Sequence, residues 1–327
     1  MRRSLHGLIL AAALAAVVAP AFAAVSPARV PVYPNRVYPP WQHGANNDVL
    51  GRGLEFTVPE VDNLPDFHGN PIDPKLVLYV GGNYFFAVAP LVNAFETENP
   101  ELKGRIFWET LPPGILVKQM EAEGTITVGN MTFTVKPDAY FAGLQAVLRL
   151  VDQGKLEAPA IAYVTNVLAI MVPKGNPARV TRLADLARPD IRLAMPNPDT
   201  EGVTDQIKAS LQKAGGEALV ATVYGVKVRD GSTYLTQIHH RETPMLLMQG
   251  RAEAGVTWRS EAIFQEQAGN AIEHVDIPDK ENTTGVYAGS VVKGAAHADA
   301  AKRWLAFLKS PAAMTIFRSY GFEAYVH

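Results

Sequence analysis

From Leu76 onward the chain repeats one local pattern, in which a short apolar strand is followed by a turn and then by an amphipathic helix. The first unit is the strand LVLYV, the turn GGNYFF and a helix that ends before Pro100. A second begins with RIFWE, and two later ones begin with DIRLAM and EAGVTW. This alternation predicts an α/β fold whose mixed, mostly parallel sheets are flanked by helices. Ligand chemistry is then expected at the carboxyl ends of the strands.

The N-terminus has the pattern of a secretory signal. Arg2 and Arg3 precede an apolar run, Leu8 to Val18, that is too short to span a bilayer, and Ala21-Phe22-Ala23 is a small-x-small cleavage pattern. The chain has no cysteine, which excludes disulfides, thiolate metal sites and the lipidated cysteine that tethers many binding proteins to a membrane. We therefore expect a periplasmic protein, exported by a cleavable signal peptide and not membrane-anchored.

Charge and motifs narrow the classes of function. The chain has 30 Lys and Arg against 32 Asp and Glu, and the basic residues are scattered, so neither nucleic acid nor an anionic lipid surface is an expected partner. The sequence contains no G-x-S-x-G, H-E-x-x-H, G-x-x-x-x-G-K-[ST] or G-x-G-x-x-G motif. These observations predict a protein without enzymatic activity or a cofactor.

Length and composition predict four segments. A mature chain of about 300 residues exceeds what one hydrophobic core usually organises, and a β-rich run at 163–172 is suited to crossing between two lobes. The predicted segments are a signal peptide at 1–23, a Pro- and aromatic-rich arm at 24–74, lobe 1 at 75–165 and 278–327, and lobe 2 at 166–277.

The last thirty residues predict two short helices. Trp304, Leu305 and Leu308 form one apolar stripe. Ser310 can cap the second helix, with Pro311 at its first position, and Gly321 supplies a left-handed stop.

Several predicted helices begin where a strand ends. These starts lie at 81–83, 110–114, 197–202, 243–244 and 258–260. The first N–H groups of a helix are unpaired and carry partial positive charge, so several such starts converging on a cleft could hold a small anionic or polar solute.

From Leu76 to the end, the sequence resembles the periplasmic molybdate-binding protein family of ABC importers. The matching segments are LVLYVGGNYFFAVAPLVNAF, LVKQMEAEG, TNVLAIMVPKGNP, LQKAGG and FLKSPAAMTIFRSYGF. The resemblance implies the two-lobed type II periplasmic binding fold, with a ligand cleft between the lobes. It also implies that the protein captures a small polar or anionic solute by hinge closure and delivers it to an ABC transporter permease.

The resemblance also implies where the ligand is held. Asn83 and Gly114 stand where two serines are usual in the family, Val203 and His240 at two backbone-donor positions, and Trp258 where a tyrosine is usual. Three hydroxyl groups of the family pattern are therefore absent here. With their neighbours, the predicted ligand-binding residues are Gly82, Asn83, Tyr84, Gly114, Asn166, Glu201, Gly202, Val203, His240, Arg241, Trp258 and Arg259.

The run His239-His240-Arg241-Glu242 leaves alternatives open. In an extended segment adjacent side chains point to opposite faces, so we expect at most one histidine to face the site. That histidine could be a capped surface residue, a hydrogen-bond donor to the ligand together with Arg241, or a metal ligand. In the last case the protein would bind a metal ion through His240 with Glu201, Glu242 or Glu261. An enzyme on the same fold is a further alternative.

Overall fold

The computed structural model describes residues 66–128, 131–199, 201–237 and 239–326. The predicted signal peptide and residues 24–65 of the predicted arm lie outside this range. The end of the arm does not stand apart from lobe 1, because β1 (Asp66–Gly69) pairs antiparallel with β3 (Ile106–Leu111). Gly69 has a φ of 85°, and a Cβ there would lie 2.0 Å from the Ile106 carbonyl oxygen. Only glycine fits this approach without strain.

Lobe 1 contains the first strand–helix units that the sequence predicts. Strands β3, β2 and β6 lie side by side and parallel, and β12 joins β6 antiparallel. A separate hairpin, β4–β5, follows α2. The elements are β2 (Leu76–Gly81), α1 (Phe85–Glu98), α2 (Pro113–Glu121), β4 (Thr125–Val128), β5 (Met131–Thr134), β6 (Ala139–Gly143), α3 (Leu144–Asp152) and β12 (Thr284–Val291).

Strand β7 (Ile161–Pro173) belongs to both lobes, as the β-rich run predicts. Its first half pairs with β12 and β13 (Glu323–Ala324), and its second half pairs with β10 (Ala254–Trp258) and β11 (Ile272–Asp276). One strand is therefore central to two sheets, which join into a single sheet of eleven strands across the described residues.

Lobe 2 is built from the second set of strand–helix units. Strands β10, β8 and β9 are parallel, and β10 is antiparallel to β7. The first helix is interrupted at Gly215–Gly216, where Gly216 has a φ of 66°, before a further helical segment. The elements are β8 (Leu193–Met195), α4 (Val203–Ala221), α5 (Lys227–Arg229), β9 (Thr233–Leu235), α6 (Glu242–Met248) and α7 (Arg259–Gln267).

The two C-terminal helices pack on the elements of lobe 1. Trp304 on α8 (Ala298–Phe307) is buried against Phe95 of α1, with ring centroids 5.1 Å apart. The hydroxyl of Ser310 accepts a hydrogen bond of 3.2 Å from Ala313 N at the start of α9 (Pro311–Ser319). The predicted cap is therefore confirmed. No helix among the described residues is both long and apolar enough to cross a membrane.

Strand directions bring the two sets of carboxyl ends together. Strand β6 is antiparallel to β12, and β12 is antiparallel to β7, so β6 runs in the direction of β7 toward lobe 2. Strand β10 is antiparallel to β7 and therefore runs toward lobe 1. The strand ends that precede α1, α2 and α3 consequently face those that precede α4, α6 and α7, and this junction is where the fold places a ligand.

An aromatic contact also joins the lobes beside this junction. Phe264 of α7 stacks on Phe86 of α1, with centroids 4.7 Å apart and planes 12° apart, and packs edge-on against Phe85 at 5.3 Å. Tyr320, at the end of α9, lies against Phe86 at 4.8 Å. These rings contribute apolar burial between the lobes.

We expect Phe264→Ala to lower the free energy of unfolding by about 1–3 kcal/mol, which is less than for a fully buried ring because Phe264 is half-buried. Phe264→Tyr, which keeps the ring, should stay close to wild type. Denaturant unfolding measures the stability, and small-angle scattering should show a larger radius of gyration for the alanine variant. An alanine variant with wild-type stability and scattering would show that the contact does not hold the lobes together.

Candidate functional site

The segment between β9 and α6 carries two histidines on the same side of the chain. The prediction that only one could face the site was wrong, because the backbone there turns instead of extending, and Arg241 has φ −58° and ψ −17°. The rings of His239 and His240 lie against each other, with centroids 3.9 Å apart and planes tilted by 30°. Both side chains are buried, at 5% and 3% exposure.

Glu201 fixes the position of His240. One carboxylate oxygen of Glu201 accepts a 2.6 Å hydrogen bond from His240 N and lies 2.6 Å from His240 Nδ1. The other oxygen accepts from Asn197 N at 3.3 Å and from the Thr236 hydroxyl. This carboxylate therefore ties the loop before α4 to the loop before α6, and it points the far edge of the imidazole ring away from Glu201.

Glu261, in the first turn of α7, stands at that far edge. Its Oε1 lies 2.9 Å from His240 Nε2, and the side chain is buried. Burial raises the pKa of Glu261, although His240 and Arg241 lower it. Within the described residues neither oxygen of Glu261 receives a well-aligned hydrogen bond. Glu201, His240 and Glu261 thus form a buried carboxylate–imidazole–carboxylate chain.

The two histidines have opposite protonation preferences. Burial alone lowers the pKa of His240, but Glu261 and Glu201 outweigh burial and raise the pKa to about 10. Burial, together with the positive charges of His240 and Arg241, holds the pKa of His239 well below its usual range. His239 Nδ1 accepts a 3.2 Å hydrogen bond from Arg241 N, so the neutral ring carries its proton on Nε2. A Cβ at Gly82 of lobe 1 would lie 3.7 Å from that nitrogen.

Arg241 links the site to the opposite lobe. Its guanidinium carbon lies 3.8 Å from the ring centroid of Phe85, at the start of α1. Glu242 points into lobe 2 instead, where it accepts from Gln237 N at 2.8 Å and from the Tyr234 hydroxyl at 3.0 Å. Burial raises the pKa of Glu242. Arg241 therefore faces the cleft, and Glu242 closes a network behind it.

Polar side chains from the crossover strands complete the site. Asn166 Nδ2 donates to Ser260 Oγ at 2.8 Å, and Asn83 Nδ2 donates to the Tyr287 hydroxyl at 3.3 Å. Trp258 covers Gly285, where a Cβ would lie 2.3 Å from the indole ring. Trp258 Nε1 is buried without a partner among the described residues.

The structure brings together only part of the predicted ligand-binding set. Gly82, Asn83, Asn166, Glu201, His240, Arg241 and Trp258 lie at the lobe junction through the contacts above. Tyr84 lies in the core of lobe 1, where its hydroxyl is 2.6 Å from that of Tyr163. Arg259 forms a 2.9 Å ion pair with Asp276 at the surface. Gly114, Gly202 and Val203 lie at or beside the starts of α2 and α4, and their ligand contacts stay predictions.

Three residues of this junction, His239, Ser260 and Tyr287, are outside the predicted ligand-binding set. His239 was excluded because the segment was interpreted as extended, and the residues TQIHHRE contain no Gly, Pro, Asn or Asp that would indicate a turn. Ser260 and Tyr287 carry no motif. They reach the site only because β12 and the start of α7 meet beside β7.

Comparisons with known proteins agree with this architecture. The family model described as bacterial extracellular solute-binding protein matches residues 76–323. YvgL of Bacillus subtilis, named as an ABC transporter substrate-binding lipoprotein, is 28% identical over 191 residues that cover 57% of this chain and 67% of that protein. The molybdate-binding protein ModA of Mycobacterium tuberculosis is 22% identical over 244 residues, covering 72% of this chain and 82% of that protein.

A solved structure shows the same fold at low identity. The sulfate-binding protein SubI of Mycobacterium tuberculosis superposes with a TM-score of 0.62 at 19% identity, covering 76% of this chain and 86% of that chain. The fold is thus the two-lobed periplasmic binding fold that the sequence predicts. With a family match that spans both lobes, this chain belongs to the bacterial extracellular solute-binding protein family.

Proposed function

We propose that the protein captures a small polar solute in the cleft between its lobes and delivers it to the permease of an ABC importer. The observation that carries this proposal is the convergence of two sets of three parallel strand ends, one from each lobe, on one junction lined by buried polar side chains. The name of YvgL and the ligands named for ModA and SubI support a transport role. The same proposal holds that the protein does not convert the solute chemically and that the mature chain is exported across the cytoplasmic membrane.

Hinge closure has a structural basis in the crossover strands. Strand β7 passes directly from one lobe to the other, and β12 returns beside it with an irregular register between Tyr287 and Ala288. A rotation of lobe 2 about this pair of strands would separate Arg241 from Phe85 without disturbing either parallel sheet. A solute that contacts both lobes would favour the closed form.

The helix starts of lobe 2 differ from those expected for an oxyanion site. The first turns of α4, α6 and α7 each contain an acidic residue, whereas those of α1, α2 and α3 contain none. The backbone N–H of His240 already donates a hydrogen bond to Glu201. An added dianion would meet Glu201 and Glu261, so we extend the proposal to polar solutes in general and not to molybdate or sulfate.

A thermal-shift panel tests the proposed function. The probes are molybdate, sulfate, phosphate, common amino acids and divalent metal ions. A ligand at 100 times its Kd adds about 2.7 kcal/mol of stability, so a true ligand should raise Tm measurably. Arg241→Ala should weaken an anionic or amino-acid ligand about 10- to 150-fold, since it removes a charge-assisted contact, and Trp258→Phe should also weaken it. Arg318→Ala, on the far helix α9, is the matched control.

Three outcomes would contradict the proposal. If no probe shifts Tm, the cleft is not a small-solute site for these classes. If Arg241→Ala lowers Tm but leaves affinity unchanged, the residue is structural. If a probe is converted to product by the pure protein, the fold supports an enzyme.

A further inference from the structure

We propose that the solute is a divalent first-row transition-metal ion, held by His240, Glu261 and His239 with Glu201 behind them. This inference rests on the proposed function and names the chemical class of the cargo. It starts from two observations: Glu201, His239 and His240 each offer a ligand atom within 4.8 Å of the others, and Glu261 Oε1 lies 2.9 Å from His240 Nε2. All three side chains are buried at the lobe junction.

The first step is the orientation of His240. The 2.6 Å contact between Glu201 Oε2 and His240 Nδ1 keeps a proton on Nδ1 and leaves Nε2 aimed at Glu261. Histidines that bind metal ions usually donate their other ring N–H to a carboxylate, which fixes the tautomer and orients the ring. Glu201 supplies this carboxylate, and its bond to His240 N fixes the backbone as well.

The second step is the burial and hydrogen bonding of the Glu261 carboxyl group. Its side chain is 5% exposed, and neither oxygen receives a well-aligned hydrogen bond from the described residues. Its Oε1 has a charged contact with His240 Nε2 at 2.9 Å, but a buried carboxylate normally accepts several well-aligned hydrogen bonds. Zinc-type ions hold nitrogen and oxygen ligands at about 2.0–2.2 Å, so a small displacement of either side chain would admit an ion between them.

The third step is the availability of His239. The Nδ1 atom accepts a hydrogen bond from Arg241 N at 3.2 Å, so the lone pair of the neutral ring is on that nitrogen. Coordination would replace this long bond. The ring centroids of His239 and His240 are 3.9 Å apart, with planes 30° apart. Because the lone pair of an imidazole nitrogen lies in the ring plane, the His239 ring would have to rotate to share an ion with His240. Two imidazoles and a carboxylate would then leave one position for water or for a second oxygen of Glu261.

Charge favours a divalent cation over a dianion. Two carboxyl groups, Glu201 and Glu261, flank His240 at the site. A divalent ion would balance both carboxylates, and the imidazole that binds it would release its Nε2 proton to solvent. A tetrahedral dianion would instead add two negative charges beside two buried carboxylates. Mixed imidazole and carboxylate ligands suit first-row transition metals better than Ca²⁺ or Mg²⁺.

The experiment uses the full mature chain, freed of metal by dialysis against a chelator, with Co²⁺ and Zn²⁺ as probes. Visible absorption of Co²⁺ reports nitrogen and oxygen coordination, and calorimetry measures Zn²⁺ affinity and stoichiometry. We expect one ion per chain. Glu261→Gln and His240→Gln should weaken Zn²⁺ at least about 100-fold, and Glu201→Gln about 10- to 100-fold. Glu261→Asp keeps a carboxylate and should retain part of the affinity. It replaces Glu261→Gln in the measurement if that variant fails to fold.

A matched control exists on the surface of lobe 2. His274 Nδ1 lies 2.7 Å from Glu266, and Nε2 lies 3.6 Å from Asp276, so it is another histidine between two carboxylates. His274→Gln should leave Co²⁺ absorption and Zn²⁺ affinity unchanged. If His274→Gln abolishes binding and His240→Gln does not, the proposed site is wrong.

The outcomes separate this inference from the proposed function. If Co²⁺ and Zn²⁺ fail to bind, but an anion or amino acid raises Tm in an Arg241-dependent way, the metal site is overturned and solute capture stands. If no probe of any class binds, both are overturned. Stoichiometric Zn²⁺ binding lost in Glu261→Gln supports both.

Discussion

Replacing Glu201 with alanine is expected to lower the free energy of unfolding by about 3–5 kcal/mol, the range measured when one partner of a buried ion pair is removed. The carboxylate contacts both the backbone and the ring of His240, and it also accepts from Asn197 N and Thr236. Without it, the imidazolium would keep only Glu261 as a buried counter-charge.

The control for this prediction is Glu217→Ala, at an exposed position on α4, which should change stability by less than about 0.5 kcal/mol. Glu201→Gln should fall between wild type and alanine, since the amide keeps an acceptor oxygen but loses the charge. Urea unfolding followed by circular dichroism measures all three. A Glu201→Ala protein as stable as Glu217→Ala would show that the network does not stabilise the fold.

Stability of the metal-free protein should fall as pH rises from about 6.5 to 10. The pKa of His240 is raised to about 10 in the fold, whereas an unfolded histidine titrates near 6.5. Between these values the folded chain holds a proton that the unfolded chain has released, so the contribution of His240 is complete below about 6.5 and is lost as pH rises through about 10. The loss amounts to at most about 5 kcal/mol.

The groups that face His240 do not reverse this trend. The raised pKa of Glu261 acts in the same direction. The lowered pKa of His239 destabilises the fold only as pH falls through about 6.5, outside this window. Denaturant unfolding at several pH values in the presence of a chelator measures the slope. His240→Gln should flatten it, whereas His68→Gln, at an exposed position on β1, should not. A wild-type slope retained in His240→Gln would contradict the assignment.

The fold was predictable because its signals are local. The apolar strands that begin at Leu76 and Leu193, the cap at Ser310 and the run that became β7 each follow from a few adjacent residues. A glycine pair is a helix-ending signal, and the structure has a helix break at Gly215–Gly216 in the segment LQKAGG. These features need no knowledge of distant contacts.

The site was less predictable because its contacts span long separations in sequence. Glu201 and His240 are 39 residues apart, and Asn83 and Tyr287 are 204 apart. In an extended strand, His239 and His240 would lie on opposite faces. In the structure, the turn before α6 stacks the two rings. Tyr84 illustrates the reverse case, because a residue beside a predicted cleft turn proved to pack in the core with Tyr163.

Native mass spectrometry of the protein isolated without denaturation from the cells that make it tests the central claim most directly. The claim is that the junction of Glu201, His240 and Glu261 holds a transported solute. We expect one non-covalently bound solute per chain in the wild type, with the mass of a transition-metal ion. This bound mass should be lost in His240→Gln but not in His274→Gln. A bare wild-type mass under conditions that preserve weak complexes, or the same bound mass in all three proteins, would contradict it.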